Sequence, residues 1–112
     1  MGFFSNMFGS KKYTNIKNDE LQDIIKNNKN ALILDVRTVG EFRSGHIPNA
    51  KNIPVQELSA HINNLDSYKD DDIIVYCASG GRSSSAANIL SKNGFSKVYN
   101  LGGIGNYKGK LK

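Results

Sequence analysis

The chain has 112 residues, a single cysteine and a formal net charge of +5, from 15 lysines and arginines against 10 acidic residues. This length supports one ordinary hydrophobic core and excludes two, and a lone cysteine excludes an internal disulfide or a cysteine-based zinc cluster. Because the positive charges are scattered and form no basic stripe with interleaved aromatics, we expect no nucleic acid among the partners.

Residues 1–10 carry no pattern that predicts an ordered element. Their apolar stretch is too broken for a secretion signal, and the nearby lysines follow it rather than precede it. The phenylalanine side chains would share one face of a helix and suit a membrane surface, but so short a helix is marginal in water. We therefore expect a flexible tail over residues 1–10 without membrane contact and one domain over residues 11–112, in the reducing, cytoplasmic setting that suits a free thiol.

Strands and helices are predicted to alternate after the tail. The segment "YTNI" is typical of a short edge strand, and "NDELQDIIKNN" predicts an amphipathic helix with Asn18 as its N-cap. The nearly continuous apolar run "ALILDV" is typical of a parallel strand that is covered on both faces. A short helical segment, "VGEFRSG", is expected to follow that strand.

The rest of the chain continues the same alternation. Two prolines make "HIPNAKNIP" an irregular loop around a brief extended piece, and "VQELSAHINNL" returns to helical spacing. A second buried strand is predicted for "DDIIVYC", followed by a helix over "RSSSAANILSKNG" and a last strand over "KVYNL". Alternation at this spacing implies an α/β fold with a mostly parallel sheet and helices on both of its faces.

The cysteine lies where the second buried strand breaks into glycine-rich sequence. In sheets of this kind ligands bind beyond the carboxyl ends of the strands, and Cys77 falls there. With a helix predicted to begin near Arg82 or Ser83, the intervening residues must curl tightly, which Gly80 and Gly81 permit because they can take positive φ. Backbone N–H groups would then point inward and, with the positive end of the helix, stabilise a thiolate and lower its pKa.

Side chains around this loop suit an anionic substrate. Arg82 adds a permanent cation with forked donors for oxygen atoms. Hydroxyl donors at the rim are expected from Ser79, Ser83 and Ser84. The alternative for Cys77 is a buried small hydrophobic residue that ends a strand, but such a cysteine has no need of a glycine cradle. The surrounding residues therefore favour a functional thiol.

No general base is apparent near the cysteine. Of the two histidines, His46 is expected to hydrogen-bond the backbone of a turn, and His61 is expected to lie in solvent on an amphipathic helix. A thiolate that is already formed needs no base. The lack of a cysteine–histidine pair is therefore no objection to a nucleophilic Cys77.

Three blocks of the sequence, taken in order, resemble the single-domain rhodanese, or rhodanese-like sulfurtransferase, family. The blocks are "LDVRTVGEFRSGHIPNAKNIP", "IVYCASGGRS" and "VYNLGGIGNY". The likeness covers nearly the whole chain from about Tyr13 onward. It implies a three-layer rhodanese-like fold with a five-stranded sheet in the order 1-5-4-2-3. It also implies that Cys77 carries a persulfide and that the loop from Ala78 to Arg82 cradles the transferred sulfur.

The resemblance further implies a sulfurtransferase that moves sulfane sulfur from thiosulfate or a persulfide donor to a thiol, cyanide or a protein acceptor, with no metal or organic cofactor. The substrate-binding residues are then those of the loop after the cysteine: Ala78, Ser79, Gly80, Gly81, Arg82 and Ser83. Asp35 and Arg37 are expected to support the site from a strand end, with Arg37 paired to Glu41. Gly102 and Gly103 are expected to allow a tight turn close to the loop.

Two competing functions differ in how well they fit the loop. The same fold hosts cell-cycle phosphatases and arsenate reductases, whose cysteine and arginine are separated by five residues. Here four residues lie between Cys77 and Arg82, and this tighter loop suits a sulfur atom better than a phosphate or arsenate group. The alternative that stays open is a non-turnover relay or binding module, which receives sulfur on Cys77 and delivers it to a protein partner.

Overall fold

The computed structural model describes residues 12–112, so the tail predicted for residues 1–10 and its expected lack of membrane contact lie outside the described residues. Within this part of the chain, one sheet contains five strands: β1 (Thr14–Asn15), β2 (Leu32–Asp35), β3 (Lys51–Asn52), β4 (Asp72–Cys77) and β5 (Lys97–Gly103). Their order is β1-β5-β4-β2-β3, and each neighbouring pair is parallel. The α/β class and the strand order implied by the resemblance are confirmed.

Helical segments connect the strands and pack on the sheet. They are α1 (Asn18–Asn27), α2 (Val39–Arg43), α3 (Val55–Leu58) and α4 (Gly81–Lys92), with 3₁₀ segments at Ser59–Tyr68 and Ile104–Asn106. Among residues 12–112, none of these helices combines the length and the apolar character needed to cross a bilayer.

The central strand β4 sends its side chains alternately to two hydrophobic clusters, because successive residues of a strand point to opposite faces. Val75 and Cys77 belong to the cluster that packs against α4 through Leu90. Tyr76 belongs to the cluster that packs against α1 through Leu21. The two clusters lie on opposite faces of the sheet, so the predicted covering of both faces is confirmed. β4 itself is buried from Ile73 to Cys77, which gives the site a rigid floor.

The structure differs from the predicted N-cap of α1. Asn18 is the first helical residue, and the preceding residue, Lys17, donates its backbone N–H to the Glu20 carboxylate at 2.8 Å. The Asn18 side-chain oxygen instead accepts the Lys108 backbone N–H at 3.0 Å. The prediction of an Asn18 cap is therefore wrong, because Lys17 has the N-cap position and Asn18 instead ties α1 to the C-terminal segment.

The helix predicted for "VQELSAHINNL" is α-helical only over Val55–Leu58 and continues as a 3₁₀ segment over Ser59–Tyr68. Leu58 is buried in the α-helical turn and Leu65 is buried in the 3₁₀ segment, so an apolar residue facing the core did not distinguish the two helix types. The segment is rich in asparagine and serine, residue types with a low helix propensity, which is consistent with the loss of regular α-helical geometry.

Candidate active site

The loop after β4 holds the Cys77 sulfur beneath the start of α4. Cys77 is the last residue of β4 and is 1% exposed. Gly80 has a φ of 111°, a conformation that an L side chain rarely adopts, and α4 begins at the next residue. The backbone N–H of Gly80 donates to the sulfur at 3.0 Å, and that of Ser83 donates at 3.3 Å. The predicted curl of the loop thus places two backbone donors on the thiol.

These contacts change the acidity of the thiol. Burial disfavours the charged thiolate, but hydrogen bonds from the Ser83 hydroxyl, the Ser83 backbone and the backbones of Gly80 and Ser79 outweigh it, so the pKa of Cys77 is lowered. In the structure the Ser83 hydroxyl donates to the Gly80 carbonyl oxygen at 3.0 Å, and rotation of the hydroxyl would direct its proton to the sulfur instead. Its single proton can serve one acceptor at a time, and a thiolate is the stronger competitor because it is charged.

Replacing Ser83 with alanine tests the contribution of this hydroxyl. Ser83→Ala removes the side-chain donor and keeps the backbone N–H, so we expect the pKa of Cys77 to rise toward that of an ordinary thiol. The measurement is the rate of Cys77 alkylation by iodoacetamide as a function of pH. The control is Ser85→Ala, since the exposed Ser85 hydroxyl bonds the Gly81 carbonyl and not the sulfur. If the pH at the midpoint of the alkylation profile were the same for both variants, the role of the Ser83 hydroxyl would be contradicted.

The other predicted loop residues lie around the sulfur, and among them only the Ser79 backbone affects the pKa of Cys77. Ala78 and Ser79 are exposed at the mouth of the loop, and so is Gly81. Ser84, expected at the rim, donates its hydroxyl to the Gly80 carbonyl oxygen at 3.0 Å. Ser83, by contrast, is fully buried and lies under the loop rather than at its rim.

Arg82 lies at the start of α4, and its guanidinium is held by Glu41 of α2. One terminal nitrogen donates to Glu41 Oε1 at 2.7 Å, and the other donates to Oε2 at 3.0 Å. The ion pair raises the pKa of Arg82 and lowers the pKa of Glu41 to about 2. The predicted pairing of Arg37 with Glu41 is therefore wrong, because Glu41 reaches across to the active-site helix. The Arg82 fork that was expected to face a substrate already has a carboxylate partner.

Arg37 pairs with Asp35 instead, at the end of β2. Its guanidinium donates to both Asp35 oxygens, at 2.7 to 3.1 Å, and to the Gly45 carbonyl oxygen at 2.7 Å. The hydrogen bond from Arg37 to Asp35 is the main cause of the raised pKa of Arg37. Asp35 is fully buried and Arg37 is 6% exposed. The pair joins the strand end to the turn after α2, and a supporting role for both residues stays a prediction.

The glycines of "LGGIG" allow β5 to pass directly behind the loop. Leu101 is an extra residue in the ladder, because Val75 pairs with Asn100 and the next residue of β4 pairs with Gly102. This shift sets Gly103 opposite Cys77. A Cβ atom on Gly103 would lie 2.7 Å from the Ala78 carbonyl oxygen, closer than real contacts allow.

Substituting Gly103 with alanine should therefore displace the loop. The backbone φ of Gly103 is −78°, so the expected damage comes from the clash with Ala78 and not from backbone strain. We expect a loss of about 1–3 kcal/mol in unfolding free energy and a faster reaction of Cys77 with thiol reagents as the loop opens. Gly105→Ala is the control, because nothing lies within 4 Å of its added Cβ. A Gly103 variant as stable and as slow to react as the control would refute the close packing.

The histidines lie where the sequence predicted. His46 stacks on Phe42 with ring centroids 3.8 Å apart, and its Nδ1–H donates to the Phe42 carbonyl oxygen at 2.9 Å. His61 has a side chain that is 47% exposed. Neither histidine is among the residues that contact the sulfur.

Two residues of the site were not singled out in this role from the sequence. Glu41 was expected to pair with Arg37, and nothing in the spacing relates it to Arg82, which lies 41 positions later. Asn100, 7% exposed, accepts the Gly102 N–H on its side-chain oxygen at 2.9 Å and contacts the Ser84 hydroxyl at 3.4 Å. Asn100 could have been identified from the sequence as a polar residue within the predicted strand "KVYNL", because a buried side-chain amide requires hydrogen-bond partners.

Most of the chain is similar to known proteins that contain this fold. It matches the family of rhodanese-like domains over residues 17–110. A sulfurtransferase from Allochromatium vinosum is 33% identical over 80% of this chain and 82% of its own length. The thiosulfate sulfurtransferase PspE from Escherichia coli is 37% identical over 63% of this chain and 68% of its own length. A putative sulfur carrier protein, YrkF from Bacillus subtilis, is 42% identical over 62% of this chain.

Coverage of the relatives varies. The chain spans 36% of the length of the putative sulfur carrier and 66% of that of an uncharacterized Bacillus subtilis protein, YqhL, with which it shares 40% identity. A crystal structure of a rhodanese-related protein from Thermoplasma volcanium has a TM-score of 0.76 and 33% identity, over 89% of this chain and 98% of that one. Sequence, strand order and solved structures agree, and the chain belongs to the family of rhodanese-like domains.

Proposed function

We propose that this protein is a sulfurtransferase that carries sulfane sulfur as a persulfide on Cys77. The observation that supports it most directly is the pair of backbone N–H groups, from Gly80 and Ser83, that donate to the sulfur of the only cysteine. Two donors on one sulfur favour the thiolate, which is the nucleophilic form. A cysteine that serves only to fill the core has no need of such donors.

The first half of the cycle loads the cysteine. The Cys77 thiolate attacks the outer sulfur of thiosulfate, a new S–S bond forms, the old S–S bond breaks, and sulfite leaves with its electron pair. With a thiol persulfide as donor, the same attack releases the donor as a thiolate, and the transferred sulfur keeps the proton. The backbone donors of residues 79–83 then face the added sulfur as well as the original one.

The second half unloads the cysteine onto a nucleophile. A thiol, cyanide or a cysteine of a protein acceptor attacks the outer sulfur, and Cys77 leaves again as a thiolate. The covalent intermediate separates the two halves, so the kinetics are ping-pong. No metal or organic cofactor enters either step. A reducing, cytoplasmic setting suits this cycle, because it keeps the unpaired thiol free.

The names of the relatives support two versions of this function. Two relatives are named sulfurtransferases, one of them for thiosulfate, which favours turnover with a small donor. One relative is named a putative sulfur carrier, which favours delivery to a protein partner without turnover on small molecules. Cys77 has the same chemistry in both versions, and turnover is the version we propose.

The decisive experiment is the intact mass of the protein after incubation with thiosulfate, or with glutathione persulfide, and desalting. The expected result is the mass of one added sulfur atom, which cyanide removes with release of thiocyanate over repeated cycles. Loading that cyanide and small thiols cannot discharge would favour the carrier version over turnover. No added sulfur from either donor would contradict the proposal.

A further inference from the structure

The ion pair between Arg82 and Glu41 bears on which donors the site accepts. We infer that Glu41 is a positioning residue that selects against doubly charged donors, because it occupies the guanidinium fork that such a donor would need. This inference rests on the proposed function and assigns the preferred donor class. The preferred donor is the persulfide of a small thiol, with at most one negative charge, rather than the thiosulfate dianion.

The first argument is the geometry of the pair. Both terminal nitrogens of Arg82 donate to the two oxygens of one carboxylate, at 2.7 and 3.0 Å. This is the two-point arrangement in which a guanidinium binds an oxyanion most strongly. A sulfonate group that is to use the same two donors has to displace Glu41, whereas an uncharged persulfide needs no cation.

The second argument is that Glu41 is held in place from its own side. Its Oε1 also accepts the Thr38 backbone N–H at 2.9 Å and the Thr38 hydroxyl at 3.1 Å, which closes the first turn of α2. The hydrogen bonds from Arg82 and Thr38 lower the pKa of Glu41 to about 2, so the carboxylate stays charged at neutral pH. A competing dianion therefore has to displace a charged carboxylate that Arg82 and Thr38 both hold by hydrogen bonds.

The third argument concerns the net charge near the thiol. Arg82 directly precedes Ser83, whose backbone N–H contacts the sulfur, so Arg82 supplies the positive side chain of this loop. Glu41 cancels that charge, and Arg37 at the neighbouring strand end is matched by Asp35 in the same way. The remaining positive potential at the sulfur then comes from backbone N–H groups. These groups stabilise a thiolate or a persulfide, but they bind a dianion less strongly than an unpaired guanidinium would.

The test is the substitution Glu41→Gln, with donors of different charge. Glutamine preserves the shape and can still accept the Thr38 N–H, but it leaves Arg82 without a charged partner. The quantity to measure is the ratio of kcat/KM for thiosulfate to kcat/KM for the persulfide of 2-mercaptoethanol. We expect this ratio to rise about tenfold, through a lower KM for thiosulfate, since a charge-assisted contact becomes available to the dianion.

Two controls separate this effect from a general change. Glu57→Gln removes the same charge from an exposed residue whose partner, His61, lies 3.9 Å away, and it should leave the ratio at the wild-type value. In an Arg82→Ala background, Glu41→Gln should no longer raise the ratio, because the cation it would release is absent. Thermal midpoints confirm that each variant is folded at the assay temperature.

The outcomes also separate the inference from the proposed function. If neither donor loads Cys77 in the wild type, the proposed function fails. If both donors load it but Glu41→Gln leaves the ratio unchanged, or raises it equally without Arg82, selection by Glu41 is refuted while sulfur transfer stands.

Discussion

Replacing Cys77 with serine is expected to abolish sulfur transfer. The hydroxyl has nearly the shape of the thiol and can accept the same N–H groups from Gly80 and Ser83, but it cannot form a persulfide. Loss of the covalent nucleophile should lower kcat by at least about a thousandfold, to the uncatalysed background. The measurement is thiocyanate formation from thiosulfate and cyanide, with the intact mass as a second readout.

The same variant should keep its fold. Cys77 is one residue of a large cluster on its face of the sheet, and the added polarity is met by two donors already present. We therefore expect a thermal midpoint close to that of the wild type. Cys77→Ala, which removes the nucleophile without adding a polar group, serves as the second variant. Transfer at the wild-type rate by either folded variant would exclude the persulfide mechanism.

Replacing Asp35 with asparagine is expected to give the largest loss of stability. Asp35 is fully buried, and its carboxylate accepts the Arg37 guanidinium and the Arg37 backbone N–H. Asparagine leaves Arg37 as a buried cation without a counter-charge, and breaking a buried pair in this way costs about 3–5 kcal/mol. The measurement is the free energy of unfolding in urea. Its slope against urea concentration should be the same in the variant and the wild type.

A matched control for this loss lies on the surface. Asp66→Asn removes the same group from a pair with Lys69, 3.5 Å apart, in which both side chains are about half exposed. Exposed pairs contribute little, so we expect a change below about 1 kcal/mol. A loss at Asp35 no larger than the loss at Asp66 would show that burial of the pair with Arg37 does not stabilise the fold.

Much of the fold could be predicted because its strands have simple signatures. The apolar runs of β2 and β4 reflect burial on both faces, and the order of the sheet followed from the resemblance to a known family. The predicted Asn18 cap failed because Asp, Asn and Glu near a helix start can all accept its N–H groups. Local sequence does not decide among them when a distant residue such as Lys108 competes.

The site was predictable to the extent that it is local. Cys77, Gly80 and Ser83 lie within seven positions, and strand, turn and helix N-terminus bring them together through the backbone alone. The partner of Arg82 was not predictable, because Glu41 lies on a different helix, 41 positions away in the chain, and only the folded structure brings the two side chains together. Two arginines and two acids lie at or within a few residues after the ends of the neighbouring strands β2 and β4, so the sequence allows more than one pairing, and side-chain reach and burial decide which pairs form.

Because Cys77 is buried, its free thiol and its persulfide are accessible to a partner protein to different degrees. The thiol, 1% exposed, lies at the bottom of its loop, where a bulky partner cannot reach it. A persulfide lengthens the Cys77 side chain by about 2 Å, the length of one S–S bond. In the proposed cycle an acceptor protein therefore reaches the outer sulfur of the persulfide more easily than the buried sulfur of the unloaded thiol. The longer side chain of the loaded form would then distinguish it from the unloaded form without any movement of the backbone.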